Sequence, residues 1–343
     1  MRIALDAMGG DHAPGATVAG ALAASDSGIE ITLVGDEGVI QEEIADLAVG
    51  GLPPSCTIHH ASEIVEMEDS PGAVLRRKRD SSLRVAFELV KAGQADAVVT
   101  MGNSGAALAA GIFVGSRLDG VLRPAITAIM PSAEAPVVLL DVGANVDCKA
   151  EHLLQFALMG AAFAQVGLRR AEPRVGLLSN GAEAEKGTDL TRAAAALLAA
   201  EDTLDYIGFV EPGDVFAGRA DVVVTDGWTG NILLKTAEAT SRQMVTLVRE
   251  AAGSGIVART GGLLLRPALR RVLGRVDAAE VGGALLLGVD AVTVIGHGGA
   301  ESRAVANAIR TAARLVEDGL LDGLRSALAG GALTESMRGV RGG

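Results

Sequence analysis

Val137-Val-Leu-Leu-Asp-Val-Gly-Ala-Asn145 passes from an unbroken apolar run straight into a turn rich in Asp, Gly and Asn. A strand with one wet face alternates apolar and polar residues. An unbroken run is expected where both faces are covered, as in a parallel sheet lying between helices. The signature recurs along the chain. Ile3–Asp6 meets Ala-Met-Gly-Gly-Asp-His-Ala-Pro14, Ile31–Val34 meets Gly35-Asp36, and Ala97–Thr100 meets Met101-Gly-Asn-Ser-Gly105. Val175–Leu178 precedes Ser179-Asn-Gly181, Val222–Thr225 precedes Asp226-Gly-Trp-Thr-Gly-Asn231, and Ala291–Ile295 runs into Gly296-His-Gly-Gly299. Ala/Leu-rich helical stretches lie between, so the pattern predicts a mostly parallel α/β sheet with helices on both faces. Loops leaving the carboxyl ends of such strands gather at one edge, where ligands bind. The Gly/Asn/Asp-rich loops are therefore expected to meet there.

The composition narrows the classes of function. A formal net charge of −12 argues against general nucleic-acid binding, which needs an excess of Lys and Arg. Cys56 and Cys148 fit a reduced compartment better than a disulfide framework. No leader pattern and no long apolar run is read, so a cytoplasmic protein without a transmembrane helix is expected. With no long linker or repeat, residues 1–343 read as one α/β domain carrying a helical insertion at 248–281. The Gly-rich tail after about Gly323 is expected to fray.

Several loops carry plausible chemistry. Paired Gly9 and Gly10, between Asp6 and Asp11-His12, let the backbone approach a ligand, and Pro14 suits the first position of a helix. His12 can bind phosphate or act as an acid or base; an ordinary strand-to-helix turn would read the same way. Asn103 and Ser104 offer an amide and a hydroxyl at another helix start, suited to an oxyanion or to capping. Lys186 follows a strand and can pair with a phosphate or a thioester oxygen. Asp226, Thr229 and Asn231 crowd a carboxylate, a hydroxyl and an amide into one short turn. Arg76 and Arg79 lie in a basic run before Ser81 and Ser82; guanidinium groups bind phosphate bidentately, though such runs also make solvated faces. No Walker loop, dinucleotide fingerprint, zinc motif or nucleophile elbow is present, so neither a cofactor nor a metal site is proposed.

Together, Leu5-Asp-Ala-Met-Gly-Gly-Asp11, Gly102-Asn-Ser-Gly-Ala106, Leu140-Asp-Val-Gly-Ala-Asn-Val-Asp147, Asp226-Gly-Trp-Thr-Gly-Asn231 with Lys235, Gly282-Gly-Ala-Leu-Leu-Leu-Gly288 and Ile295-Gly-His-Gly298 resemble the PlsX family of phosphate acyltransferases. The resemblance covers nearly the whole chain. It implies a three-layer α/β/α sandwich related to the isocitrate and isopropylmalate dehydrogenases and the phosphotransacetylases. It also implies a homodimer that makes acyl-phosphate from inorganic phosphate and acyl-[acyl carrier protein], feeding phospholipid synthesis. Lys186 and Asn231 carry over as catalytic positions. Asp6, Gly9, Gly10, Asp11, His12, Arg76, Arg79, Ser81, Ser82, Asn103, Ser104, Asp141, Asn145, Glu183, Asp226, Thr229 and His297 are the expected substrate-binding positions. Trp228 replaces the usual Phe, and Ala182 and Ala184 interrupt an acidic run, leaving Glu183 as the candidate carboxylate. The family varies at the position of His12.

The insertion has its own pattern. Leu265, Leu269, Val272, Leu273 and Val276 fall on one helical face, while Arg266, Arg270, Arg271 and Arg275 cover much of the rest. Such a basic amphipathic helix suits an anionic membrane surface, an acidic acyl carrier protein, or dimer packing with snorkelling arginines. Rival readings are a phosphotransacetylase-like enzyme using acyl-coenzyme A, a decarboxylating NAD-dependent dehydrogenase, and a membrane-surface scaffold.

Overall fold

Alternate residues of each central strand pack into two different cores. Ile3, Leu5, Ile31, Leu33, Val138 and Leu140 belong to one, whereas Ala4, Val34, Val98, Leu139 and Val223 belong to the other. Since side chains alternate across a strand, a sheet apolar at every position must be covered on both faces. The computed structural model describes residues 1–25, 28–47, 51–276 and 282–330, with the side chains at 73, 74, 256 and 269–276 outside that description.

The first half of the chain runs β1 (Arg2–Asp6), α1 (Gly15–Ala24), β2 (Glu30–Gly35), α2 (Glu37–Leu47), β3 (Cys56–His60), α3 (Pro71–Arg76), α4 (Ser82–Lys91), β4 (Ala97–Thr100), α5 (Ser104–Ala110), β5 (Ala125–Met130), β6 (Val137–Leu140) and α6 (Ala150–Gly167). The second runs β7 (Arg174–Leu178), α7 (Asp189–Ala199), β8 (Asp205–Val210), α8 (Pro212–Ala217), β9 (Val222–Val224), α9 (Gly227–Gly253), α10 (Ile256–Val276), β10 (Ala284–Leu287), β11 (Val292–Ile295), α11 (Ser302–Glu317) and α12 (Leu320–Gly330). Helices α1, α6, α11 and α12 cover one face; α4 and α5 pack on the other. The result is the expected three-layer α/β/α sandwich.

One sheet of 11 strands has the order β3-β2-β1-β4-β11-β10-β5-β6-β9-β7-β8. The antiparallel pairs are β11 with β10, β10 with β5, and β5 with β6; every other pair is parallel. These three reversals turn the β6-β9-β7-β8 half against the β3-β2-β1-β4-β11 half. The expectation that all the loops meet at one edge is therefore corrected. The carboxyl ends of β1, β4 and β11 leave one edge of the sheet, and those of β6, β9 and β7 leave the other.

Of the tail expected to fray, residues 331–343 lie outside the described residues, while α12 continues to Gly330 and buries Leu320, Leu324 and Leu328. An apolar residue every fourth position gives that helix a face to pack on α6, and this outweighs the glycines around it. Helices α9 and α10 pack against each other, and a Cβ at Gly262 would come within 2.9 Å of Ala252 Cβ. No helix among the described residues is long and apolar enough to cross a membrane.

Candidate active site

At the first edge, β1 delivers Asp6 and β4 delivers Thr100 side by side. Thr100 Oγ1 donates to Asp6 Oδ2 at 2.7 Å and accepts from Gly102 N–H at 3.0 Å. Asp6 is only 2% exposed. Burial pushes its carboxyl up from the ordinary value, against the pull of Ser82 and Thr100. Its Oδ1 has no well-formed hydrogen bond; the nearby Ser82 hydroxyl eases its charge without satisfying it. Gly9 is needed here, since a Cβ would sit 2.5 Å from Asp6 Oδ2. Asp11 N–H then donates to the Gly298 carbonyl at 2.8 Å, tying the first loop to the β11 loop, where exposed His297 accepts from Gly299 N–H at 3.1 Å. Asp11, His12, Ser104 and His297 are the exposed polar side chains of this edge that the sequence singles out. Pro14 stands just outside α1, one residue before the position expected for it.

Asn103 is fully employed. Its Oδ1 caps α5 by accepting from Ala106 N–H at 3.0 Å, and its Nδ2 donates to the carbonyls of Met67 and Asp69, each at 2.9 Å. Both ends of its amide thus staple the 66–69 loop to the helix. Lys78 anchors the same loop through Asp69 Oδ2 at 2.5 Å, and that hydrogen bond draws the Asp69 carboxyl below its ordinary value.

At the second edge, Asp141 follows β6 across a cis peptide and is completely buried. Its Oδ1 accepts from the N–H groups of Ile126, Gly143 and Ala144 at 3.0–3.2 Å. Its Oδ2 accepts from Asn145 N–H at 2.6 Å and Asn145 Nδ2 at 2.9 Å. Burial pushes the Asp141 carboxyl up while these donors pull it down, and burial prevails. The first turn of α9 lies directly on this turn. Gly227 N–H donates to Asn145 O at 2.8 Å, and a Cβ at Gly230 would overlap the Asp141 carbonyl oxygen. Asp226 caps α9, taking Thr229 N–H and Thr229 Oγ1 each at 2.8 Å. Asn231 is exposed one residue beyond Gly230.

The loop after β7 leaves this same edge. Asn180 Oδ1 accepts from Gly187 N–H at 3.0 Å and closes the loop, while Glu183 O accepts from Lys186 N–H at 3.0 Å. Exposed Lys186 lays its stem over Gly181, whose Cβ would meet both Lys186 Cγ and Glu183 Oε2 within 3 Å. The second edge thus gathers Lys186, Glu183, Asp226, Thr229 and Asn231. A cation, an amide and a helix N-terminus together suit an anion whose charge grows during reaction.

Other expected positions fall elsewhere. Asp6, Ser81, Ser82 and Asp141 are buried, and Asn145 spends its amide on Asp141 and on the Pro124 carbonyl. Their polar atoms are thus turned toward the protein interior. Arg76 closes α3 and Arg79 lies just beyond it, both exposed. Leu265 is exposed on α10; the side chains of Leu269, Arg270, Arg271, Val272, Leu273 and Arg275 lie outside the described residues. Thr100 escaped the sequence reading, although a hydroxyl ending an apolar strand was the available signal. A cavity of about 310 Å³ at the amino ends of β7 and β8 is lined by Glu172, Asp202 and Asp205, a poor setting for anionic substrates.

A family model described as fatty acid synthesis protein matches residues 1–322. The phosphate acyltransferase of Trichlorobacter lovleyi is 50% identical over 313 residues, 91% of this chain and 90% of that protein. That of Geobacter sulfurreducens is 48% identical, covering 93% of this chain and 92% of its own. Among solved structures, a phosphotransacetylase from Streptococcus pyogenes aligns with a TM-score of 0.63 at 19% identity, over 92% of this chain and 94% of that one. The EutD phosphotransacetylase from Staphylococcus aureus aligns at 0.58 and 18%, with the same coverage. The likeness to these structures is one of fold; the sequence relationship goes further, and the chain belongs to the fatty acid synthesis protein family that includes these phosphate acyltransferases.

Proposed function

We infer that this chain is a phosphate acyltransferase, moving an acyl group from the thioester of acyl carrier protein to inorganic phosphate and so supplying acyl-phosphate for phospholipid synthesis. The observation that carries the reading is identity of 48–50% with phosphate acyltransferases along nine-tenths of the chain. A phosphate oxygen attacks the thioester carbonyl, the C–O bond forms, and the C–S bond breaks. The thiolate leaves with the electron pair and takes up a proton. Phosphate is already nucleophilic at neutral pH, so alignment and charge stabilisation are what the protein must supply. Lys186 stabilises the developing negative charge and Asn231 orients the reacting groups. The gathering of both at one sheet edge supports these roles.

The same reading includes a homodimer and contact with the carrier protein or an anionic membrane through residues 248–281. Exposed Ile232, Met244 and Leu247 on α9 support a covered face there, and exposed Val257, Leu263 and Leu264 on α10 support peripheral contact.

The test is phosphate-dependent consumption of a long-chain acyl carrier protein thioester, with the product trapped by hydroxylamine. Lys186→Ala is expected to lower turnover about 10²–10³-fold with folding intact, the usual loss for one stabilising donor. Acyl-phosphate formed from acyl-coenzyme A and not from the carrier thioester would overturn the donor assignment. No acyl-phosphate from either would overturn the enzyme reading.

A further inference from the structure

We propose that Asp141 is a positioning residue, whose carboxylate fixes the turn and helix start that aim Asn231. The proposal rests on the catalytic role assigned to Asn231 above. Two segments beside that amide converge on this one carboxylate. It collects N–H groups from β5 at Ile126 and from the 143–145 turn, together with the Asn145 side-chain amide. Asp141 N–H donates to Thr225 O, and Thr225 N–H donates to Leu140 O, so the exits of β6 and β9 are laced together directly beneath α9.

The helix start has no freedom to drift from this platform. A Cβ at Gly227 would lie 2.8 Å from Asp141 Oδ2, and Gly230 rests on the Asp141 carbonyl. A Cβ at Gly143 would stand 3.9 Å from Asn231 Cβ, Cγ and Oδ1, so the turn that Asp141 folds faces the very amide in question. Asp141 itself is 0% exposed, so its effect on turnover is expected to act through the residues its turn holds in place, Asn231 first among them.

Asp141→Asn tests this. Both carboxylate oxygens accept N–H groups, so an amide nitrogen at either position meets donors instead of giving them an acceptor. The variant is expected to lose about 100-fold in kcat, the scale of a misplacement near 1 Å, while KM for phosphate stays within about twofold. The deciding measurement is the double-mutant cycle with Asn231→Ala. Asp141→Asn should cost less than about threefold when the Asn231 amide is already gone.

A full, multiplicative loss in that background overturns the positioning role and leaves the enzyme reading standing. An unchanged kcat in Asn231→Ala, with acyl-phosphate still formed, overturns the proposal while the activity itself remains. Should Asp141→Asn fail to melt cooperatively, Asn145→Ala enters the same cycle. It removes the 2.9 Å bond to the same carboxylate and leaves the carboxylate in place. Coupling to Asn231 again supports the proposal, and additivity again overturns it.

Discussion

Thr100 Oγ1 bridges Asp6 Oδ2 at 2.7 Å and Gly102 N–H at 3.0 Å, so one hydroxyl binds the exits of β1 and β4 into a single unit. The glycine loops that follow those strands share this buried anchor. A charge held this deep must show itself in the pH dependence of stability.

The Asp6 carboxyl is raised from its ordinary value of 3.8, with burial the main cause. The folded state therefore holds the proton more tightly than the unfolded chain does. Stability from this group is present below the unfolded value and is lost as pH climbs through the folded one. Asp6→Asn removes that loss. Its melting temperature should match wild type below the unfolded value and exceed it increasingly as pH rises above that value. A gap independent of pH would refute the burial of this charge.

Gly230→Ala drives a methyl group into the Asp141 carbonyl and should cost about 1–3 kcal/mol or prevent folding. Gly213, in α8, has open space around its would-be Cβ. Gly213→Ala should be neutral or gain up to about 1 kcal/mol from helix propensity. Paired thermal melts decide whether close approach, rather than glycine content, sets the cost.

Asn103→Ala removes the α5 cap, worth about 1 kcal/mol, and frees the carbonyls of Met67 and Asp69. Amide exchange should rise in residues 66–69 and in the first turn of α5, with the β6-β9-β7 half unchanged. Protection retained at 66–69 would assign the loop's anchorage to Lys78 alone.

Burial and the nearby Asp141 charge push the half-buried Cys148 thiol up to about 12. At mildly alkaline pH its thiolate is scarcer than that of a free thiol by roughly a thousandfold, and alkylation should slow by a smaller factor, since the more basic thiolate is the better nucleophile. Mass-resolved iodoacetamide labelling of native and unfolded chain measures this; rapid native labelling would contradict the burial.

Seven strands were legible because Val, Ile and Leu crowd into unbroken runs between turn residues. The other four were hidden for identifiable reasons. β3 and β8 are edge strands with exposed, mixed residues such as Thr57 and Asp205, so no apolar run marks them. β5 is diluted by Ala125 and Ala128, and β10 reads Ala-Leu-Leu-Leu, a sequence equally at home in a helix. Missing β5 and β10 meant missing the reversals, and with them the division of the loops between two edges. At the site, the roles proposed for Lys186 and Asn231 come from the resemblance. The inward turn of Ser81, Ser82, Asp6 and Asp141 was not legible, because enclosure depends on which backbone lies above each side chain.

β10 and β11 lie in the middle of the sheet, between β4 and β5, although all nine other strands precede them in sequence. During synthesis the two half-sheets must wait, each with a raw edge, until residues 284–295 leave the ribosome. Open edges of this kind invite pairing with other chains. Completion of this sheet thus waits on the last two strands in chain order, and a chain lacking them would leave β4 and β5 as open edges.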